Sequence, residues 1–336
     1  MKPFPVVKFF LCSLLASAVF LPLRAKADIK IEYFNIVSGR LVFAATKGVG
    51  KSDIYVLDFQ KLAASPVIET SGNDTYPSWS PDGTEILYES DESGNLEIYI
   101  ARSDGSNVRN LTRNPATDKN PHWSPDGKRI VFTSSRLGKG ENLFIMNTDG
   151  TQPLAITNNS NRNSVPKWSP RGNEVIYSTD SYWPGWDIVL YEIEGKRSMR
   201  MTNGYNSFCR ADWHPNGGKF VFSYGSGKDI DLWIQTKGGA PEQLTSLAGR
   251  EYDAVWDNDG KRIFFVSESK PGASDYHLFL IDVETKLVSQ ITSGTMAIRY
   301  PSWTPYPEVN FAESNAKSTA PSPDISTDDA KNKEAN

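Results

Sequence analysis

The chain has 336 residues and a net charge of −4, with 38% hydrophobic and 23% charged residues. That is the make-up of a soluble globular protein large enough for a sizeable core. The acidic balance argues against a nucleic-acid partner, and beyond the first 27 residues no stretch approaches a membrane span.

The N-terminus reads as a cleavable export signal. Lys2 and Lys8 supply positive charge, residues 9–23 are apolar, and Ala25-Lys26-Ala27 places small residues at −3 and −1 of a cleavage site. Cys12 lacks the small-residue context of a lipid-anchor signal. Cleavage after Ala27 removes Lys2, Lys8, Arg24 and Lys26 and no acid, moving the net charge from −4 to −8. Cys209 is then the remaining cysteine, so no intrachain disulfide is expected.

Residues 29–36 follow, with an expected place beside the blade that closes the fold. Leu41-Val-Phe-Ala-Ala45 is a strand, and Gly48-Val-Gly-Lys-Ser52 a hairpin loop. The latter resembles the end of a phosphate loop, but Ala45 stands where that motif needs glycine, and a strand rather than a helix follows. Six tryptophans then recur at 79, 123, 168, 213, 256 and 303, at spacings of 44, 45, 45, 43 and 47 residues. They sit in phrases such as Pro77-Ser-Trp79-Ser-Pro-Asp-Gly83, Pro121-His-Trp123-Ser-Pro-Asp-Gly127 and Pro301-Ser-Trp303-Thr-Pro305. A fixed period in the forties marks a repeat architecture.

Within the repeat of Trp79, a strand ends at the Pro81-Asp82-Gly83 turn. Strands Glu85-Ile-Leu-Tyr-Glu89 and Leu96-Glu-Ile-Tyr-Ile100 follow, then an Asp104-Gly105 turn expected to be of the primed type, then a fourth strand over 108–111. Arg129-Ile-Val-Phe-Thr133, Glu174-Val-Ile-Tyr-Ser178, Lys219-Phe-Val-Phe-Ser223 and Arg262-Ile-Phe-Phe-Val266 repeat the second strand. Four short strands per repeat describe an all-β, six-bladed propeller. The Trp303 strand should complete the blade of residues 41–70, joining the two ends and removing free sheet edges. From residue 312 onward the composition is Ser, Thr, Pro, Asp, Lys and Asn, expected to be a disordered tail after a propeller spanning 28–312.

The tryptophan phrase, followed by an x-x-I-x-F strand and closed by Leu111-Thr112, Ile156-Thr157, Met201-Thr202, Leu244-Thr245 or Ile291-Thr292, resembles the TolB-type variant of the WD40-like propeller repeat. The resemblance covers residues 38–312. It implies a periplasmic, partner-binding propeller, with the Tol–Pal envelope system as the known example. Full-length TolB carries an N-terminal α/β domain, whereas here about ten residues separate the cleavage site from the first blade. The same repeat precedes serine peptidases and occurs in some lyases, so activity has to be argued from the site.

The six rhythmic tryptophans belong between blades. No Gly-x-Ser-x-Gly elbow occurs. Of the three histidines, His122 precedes a motif tryptophan and His214 follows one, so strand alternation points them apart; with His277 they make no metal centre. No catalytic residue, metal or cofactor is expected. Off the rhythm, Ser181-Tyr-Trp-Pro-Gly-Trp-Asp187 joins the second and third strands of its repeat, so Tyr182, Trp183 and Trp186 form a candidate aromatic hot spot.

Loops between blades emerge on the same face and carry Lys119, Arg162, Arg210, Arg250 and Arg299, three to six residues before each tryptophan. They are expected to form a basic ring at the channel mouth that accepts an anion or acidic peptide. The expected protein is a monomeric, non-enzymatic scaffold in the cell envelope, binding a protein or peptide, lipoproteins included. The alternative is a glycan-binding or glycan-active propeller, a lyase or glycosidase with two loop carboxylates about 5–10 Å apart.

Overall fold

The computed structural model describes residues 29–31, 38–48, 50–182, 184–203, 207–268 and 270–305. The expected export signal at 1–27, the expected tail from 313 and Trp183 lie outside them. Among the described residues every regular element is a strand, and twenty-four of these make six antiparallel four-stranded blades.

Five of the six blades begin in chain order with an innermost strand, such as Asp74–Trp79, and turn through the tryptophan phrase. Pro81 presets φ, the Gly83 amide donates to the Ser80 carbonyl at 2.9 Å, and Gly83 itself sits at φ +68. The Ser80 hydroxyl donates to Asp82 at 2.6 Å and accepts from the Glu85 amide at 2.9 Å. A turn that satisfies its own polar groups delivers the chain directly into Glu85–Ser90.

The second and third strands are apolar on both faces because blades stack face to face: in Glu85–Ser90, all but the first residue are buried. The threonine of the Leu-Thr closure ties the fourth strand to the third. Its hydroxyl accepts the amide of Ile98, Leu143, Ile188, Leu232 or Leu278 at 2.8–3.0 Å. The turn at Asp104-Gly105 is not of the primed type, since only the glycine is left-handed, at φ +82. A Cβ on Gly105 would come within 1.8 Å of the Val67 carbonyl oxygen, so contact with the preceding blade demands the glycine.

Six apolar clusters fill the six blade interfaces. Trp79 packs with Val42, Ala44 and Ile54 of one blade and Ile86 and Tyr88 of the next. The other phrase tryptophans take equivalent places, so the rhythm is architectural. Closure is as expected: Met296–Thr304 pairs with Arg40–Lys47 from Lys47↔Met296 to Arg40↔Thr304, in a blade completed by Ser52–Asp58 and Ala63–Ile68. Gly48, Gly50 and Lys51 lie between two of these strands, Arg40–Lys47 and Ser52–Asp58. Ile29–Ile31 does not extend the closing blade. It pairs with Thr292–Gly294, the stretch that leads into the closing strand.

One feature recurs in all six innermost strands. The residue three before the tryptophan is left-handed: Tyr76, Asn120, Val165, Arg210, Asp253 and Tyr300 have φ between +49 and +57. The ladder register shifts at the same place in every blade. Such a bulge bends the strand and redirects a side chain, here toward the channel. A β-branched residue is the costliest occupant of this conformation. Val165→Asn, which copies Asn120 in the preceding blade, should therefore raise stability by about 1 kcal/mol in urea unfolding; an unchanged or lower midpoint would show that Val165 is not strained.

Candidate functional site

The left-handed residues, with the residues that follow them, line a narrow waist of about 40 Å³ in the channel. On one side the Tyr76 and Tyr300 rings stack at 3.7 Å between centroids. On the other, Asp253 receives both Arg210 and Arg299, the latter through Nε at 2.7 Å. The Arg299 guanidinium also lies 4.9–5.4 Å from the rings of Tyr252, Tyr276 and Tyr300. Burial alone would raise the Asp253 carboxyl, but the two guanidiniums outweigh it and hold it down at about 2.

The five expected cations do reach the upper face, but not as a bare ring. Lys119 pairs with Glu141 at 2.6 Å, Arg162 with Asp180 at 2.8 Å and Arg250 with Glu268 at 2.5 Å, while Arg210 and Arg299 share Asp253. Five cations thus meet four carboxylates, leaving one net positive charge rather than a strong basic field. The reason is desolvation: partly buried cations are tolerated when a counter-charge lies at hydrogen-bonding distance. These carboxylates went unnoticed in the sequence. Asp180 and Glu268 stand eighteen residues after Arg162 and Arg250, as Arg136 does after Asp118, its partner at 2.6 Å. Superposing the repeats by charge would have exposed that offset.

Beside the waist an upper cleft of about 370 Å³ opens to solvent, with Lys119, Glu141, Arg162, Trp186, Cys209 and Arg210 among its walls. The Trp186 ring lies 5.0 Å from the Arg162 guanidinium and faces this cleft. Tyr182 is placed elsewhere. It covers Arg200 at 4.4 Å, on the outermost strand Arg197–Arg200, so the two rings do not make one platform. Burial pushes the Cys209 thiol up, which disfavours a thiolate nucleophile.

The histidines are dispersed. His122 lines the channel, where burial and the nearby Lys167 charge hold it well below its ordinary value. His214 stands edge-on to Trp256 at 4.7 Å, and His277 is buried with Asp275 at 3.7 Å. Among the described residues no group of His, Cys, Asp or Glu is arranged to hold a metal ion.

Glu251, at the start of the innermost strand Glu251–Trp256, is fully buried. Burial pushes its carboxyl up to about 7 from an ordinary 4.5; the Thr245 hydroxyl works against that rise and Asp231 adds to it. The folded form therefore holds this proton more tightly than the unfolded one. Its contribution is fully present below about pH 4.5 and is lost as pH rises through 7. Between pH 5 and pH 8 the native protein should lose up to about 3 kcal/mol more stability than Glu251→Gln in urea titrations. Parallel loss in both proteins would contradict the assignment.

Fold and channel together define a six-bladed propeller of four-stranded blades, closed by pairing of its terminal strands around a plugged axial channel. The model of the TolB beta propeller domain matches residues 34–109 and 91–207, just over half of the chain, and the chain belongs to that family. An uncharacterized protein of Agrobacterium fabrum, Atu1656, is 33% identical over 60 residues, 18% of this chain and 20% of that one; the match thus spans a fifth of that relative. Among solved structures, TolB from Acinetobacter baumannii superposes with a TM-score of 0.69 at 21% identity, over 80% of this chain and 67% of that one. A putative TolB from Agrobacterium tumefaciens gives 0.62 at 19%, over 80% and 100%. A Mycobacterium tuberculosis puromycin-hydrolyzing peptidase gives 0.55 at 15%, over 75% and 43%. These structural likenesses speak for the fold alone.

Proposed function

We propose that the chain is a non-enzymatic, monomeric scaffold of the bacterial periplasm that binds a protein or peptide of the cell envelope, lipoproteins included. On this reading residues 1–27 are the export signal, 28–312 the propeller and 313–336 a tail. Family membership and the leader-like N-terminus support the compartment.

The observation that carries the binding role is the upper cleft. An off-rhythm indole that no blade interface requires lies over Arg162, next to Lys119, in a solvent-open concavity. Aromatic and arginine side chains in such a setting are the usual anchors of a partner. On this reading Arg210, Arg250 and Arg299 set the charge around it, while Tyr182, turned to Arg200, lies apart from the cleft. A glycan-active reading needs a carboxyl free to protonate a leaving group. Glu141, Asp180, Asp253 and Glu268 are each engaged by a cation, which favours binding over hydrolysis.

The test is capture from a periplasmic extract with mass spectrometry, comparing native protein with Trp186→Ala and Arg162→Ala. Loss of an anchor should cost at least about 2 kcal/mol, near 30-fold in retained partner. Equal recovery from a variant with unchanged circular dichroism would remove the cleft from the site.

A further inference from the structure

The opposite face of the channel, walled by the tryptophan-phrase hairpins, encloses a vestibule of about 310 Å³. Tryptophan edges and phrase prolines form its sides. Its floor is a layer of residues one before each tryptophan: Ser78, His122, Lys167, Asp212, Val255 and Ser302. Three of them serve the next blade. Ser302 Oγ accepts the Trp79 amide at 3.3 Å, His122 Nδ1 the Trp168 amide at 3.3 Å, and Asp212 Oδ2 the Trp256 amide at 3.1 Å.

Lys167 has no acceptor to offer and stands apart from this pattern. Its ammonium reaches Asp212 Oδ1 only at 3.8 Å, beyond hydrogen-bonding distance, and makes no hydrogen bond to the described residues. Both side chains are largely buried, with exposures of 22% and 13%. Because His122 Nδ1 is an acceptor, the proton of the neutral ring sits on Nε2. The floor therefore presents a spare cationic donor and a spare carboxylate oxygen side by side, with net charge zero. A lone anion would meet Asp212 and a lone cation Lys167, while a molecule carrying both charges satisfies both.

We propose that this vestibule binds a small zwitterion of the α-amino-acid type. Its carboxylate would rest on Lys167 beside the His122 ring, its ammonium on Asp212 Oδ1, and its side chain along the tryptophan and proline walls. The site is independent of the upper cleft and of the partner bound there.

The experiment titrates the full chain with L-phenylalanine, L-phenylalaninamide and 3-phenylpropanoate, followed by tryptophan fluorescence and calorimetry. The amino acid should bind saturably, and each analogue about tenfold or more weakly, since each engages only one member of the Lys167–Asp212 pair. Lys167→Met and Asp212→Asn should each abolish the preference, Lys167→Arg should restore it in part, and Trp186→Ala should leave it unchanged; thermal melts confirm that each variant is folded. Phenylpropanoate binding as tightly as phenylalanine, or no saturable binding of the zwitterion at millimolar concentration, would overturn the proposal.

Discussion

The structure depends on one antiparallel pairing, that of Met296–Thr304 with Arg40–Lys47. A ring of blades is stable when every apolar face meets another, and five consecutive interfaces follow from chain order alone. The sixth must be made between residues more than two hundred positions apart. Trp303 completes it by packing on Phe59 and Phe264, at 5.8 and 5.0 Å between ring centroids. Without this contact two blades would present bare apolar faces and unpaired strand edges to water.

Closure also sets what the channel can be. Six innermost strands converge at one axis, and their bulges turn six side chains into the same small space. The residues there differ in kind, and the two halves of the ring solve the crowding differently. Tyr76 and Tyr300 stack, while Arg210, Asp253 and Arg299 form a charge cluster with the tyrosines above it. The waist separates an upper cleft with an aromatic and cationic rim from a lower vestibule with a neutral, paired-charge floor. Two ends of one channel thus offer different chemistry.

The blade pattern was legible in the sequence because turn and core demand fixed residue types: proline and glycine at the hairpin, tryptophan between blades, threonine under the third strand. The left-handed position was not legible. Tyr, Asn, Val, Arg, Asp and Tyr occupy it, so the conformation is imposed by strand convergence rather than by residue preference. The cations of the upper face were found by their phase relative to tryptophan. Their neutralising partners were missed because Glu141 stands twenty-two residues beyond Lys119, just before the third strand of the same blade, and Asp253 comes from another blade than the two cations it holds. The turn at Gly105 was misread for a related reason, since a neighbouring blade, not the local chain, requires the glycine.

A propeller built this way uses its regular residues for the frame and its departures from the repeat for recognition. Trp186 is such a departure, placed beside Arg162 by the loop between the second and third strands and the blade-to-blade connection next to it. The most direct measurement places a photo-crosslinking amino acid at Ser207, in the wall of the upper cleft, and in a second protein at Leu154, exposed on an outermost strand. A discrete crosslinked envelope protein from position 207, absent from position 154, is the expected result. Crosslinking to that protein from 154 alone would contradict recognition through the upper face.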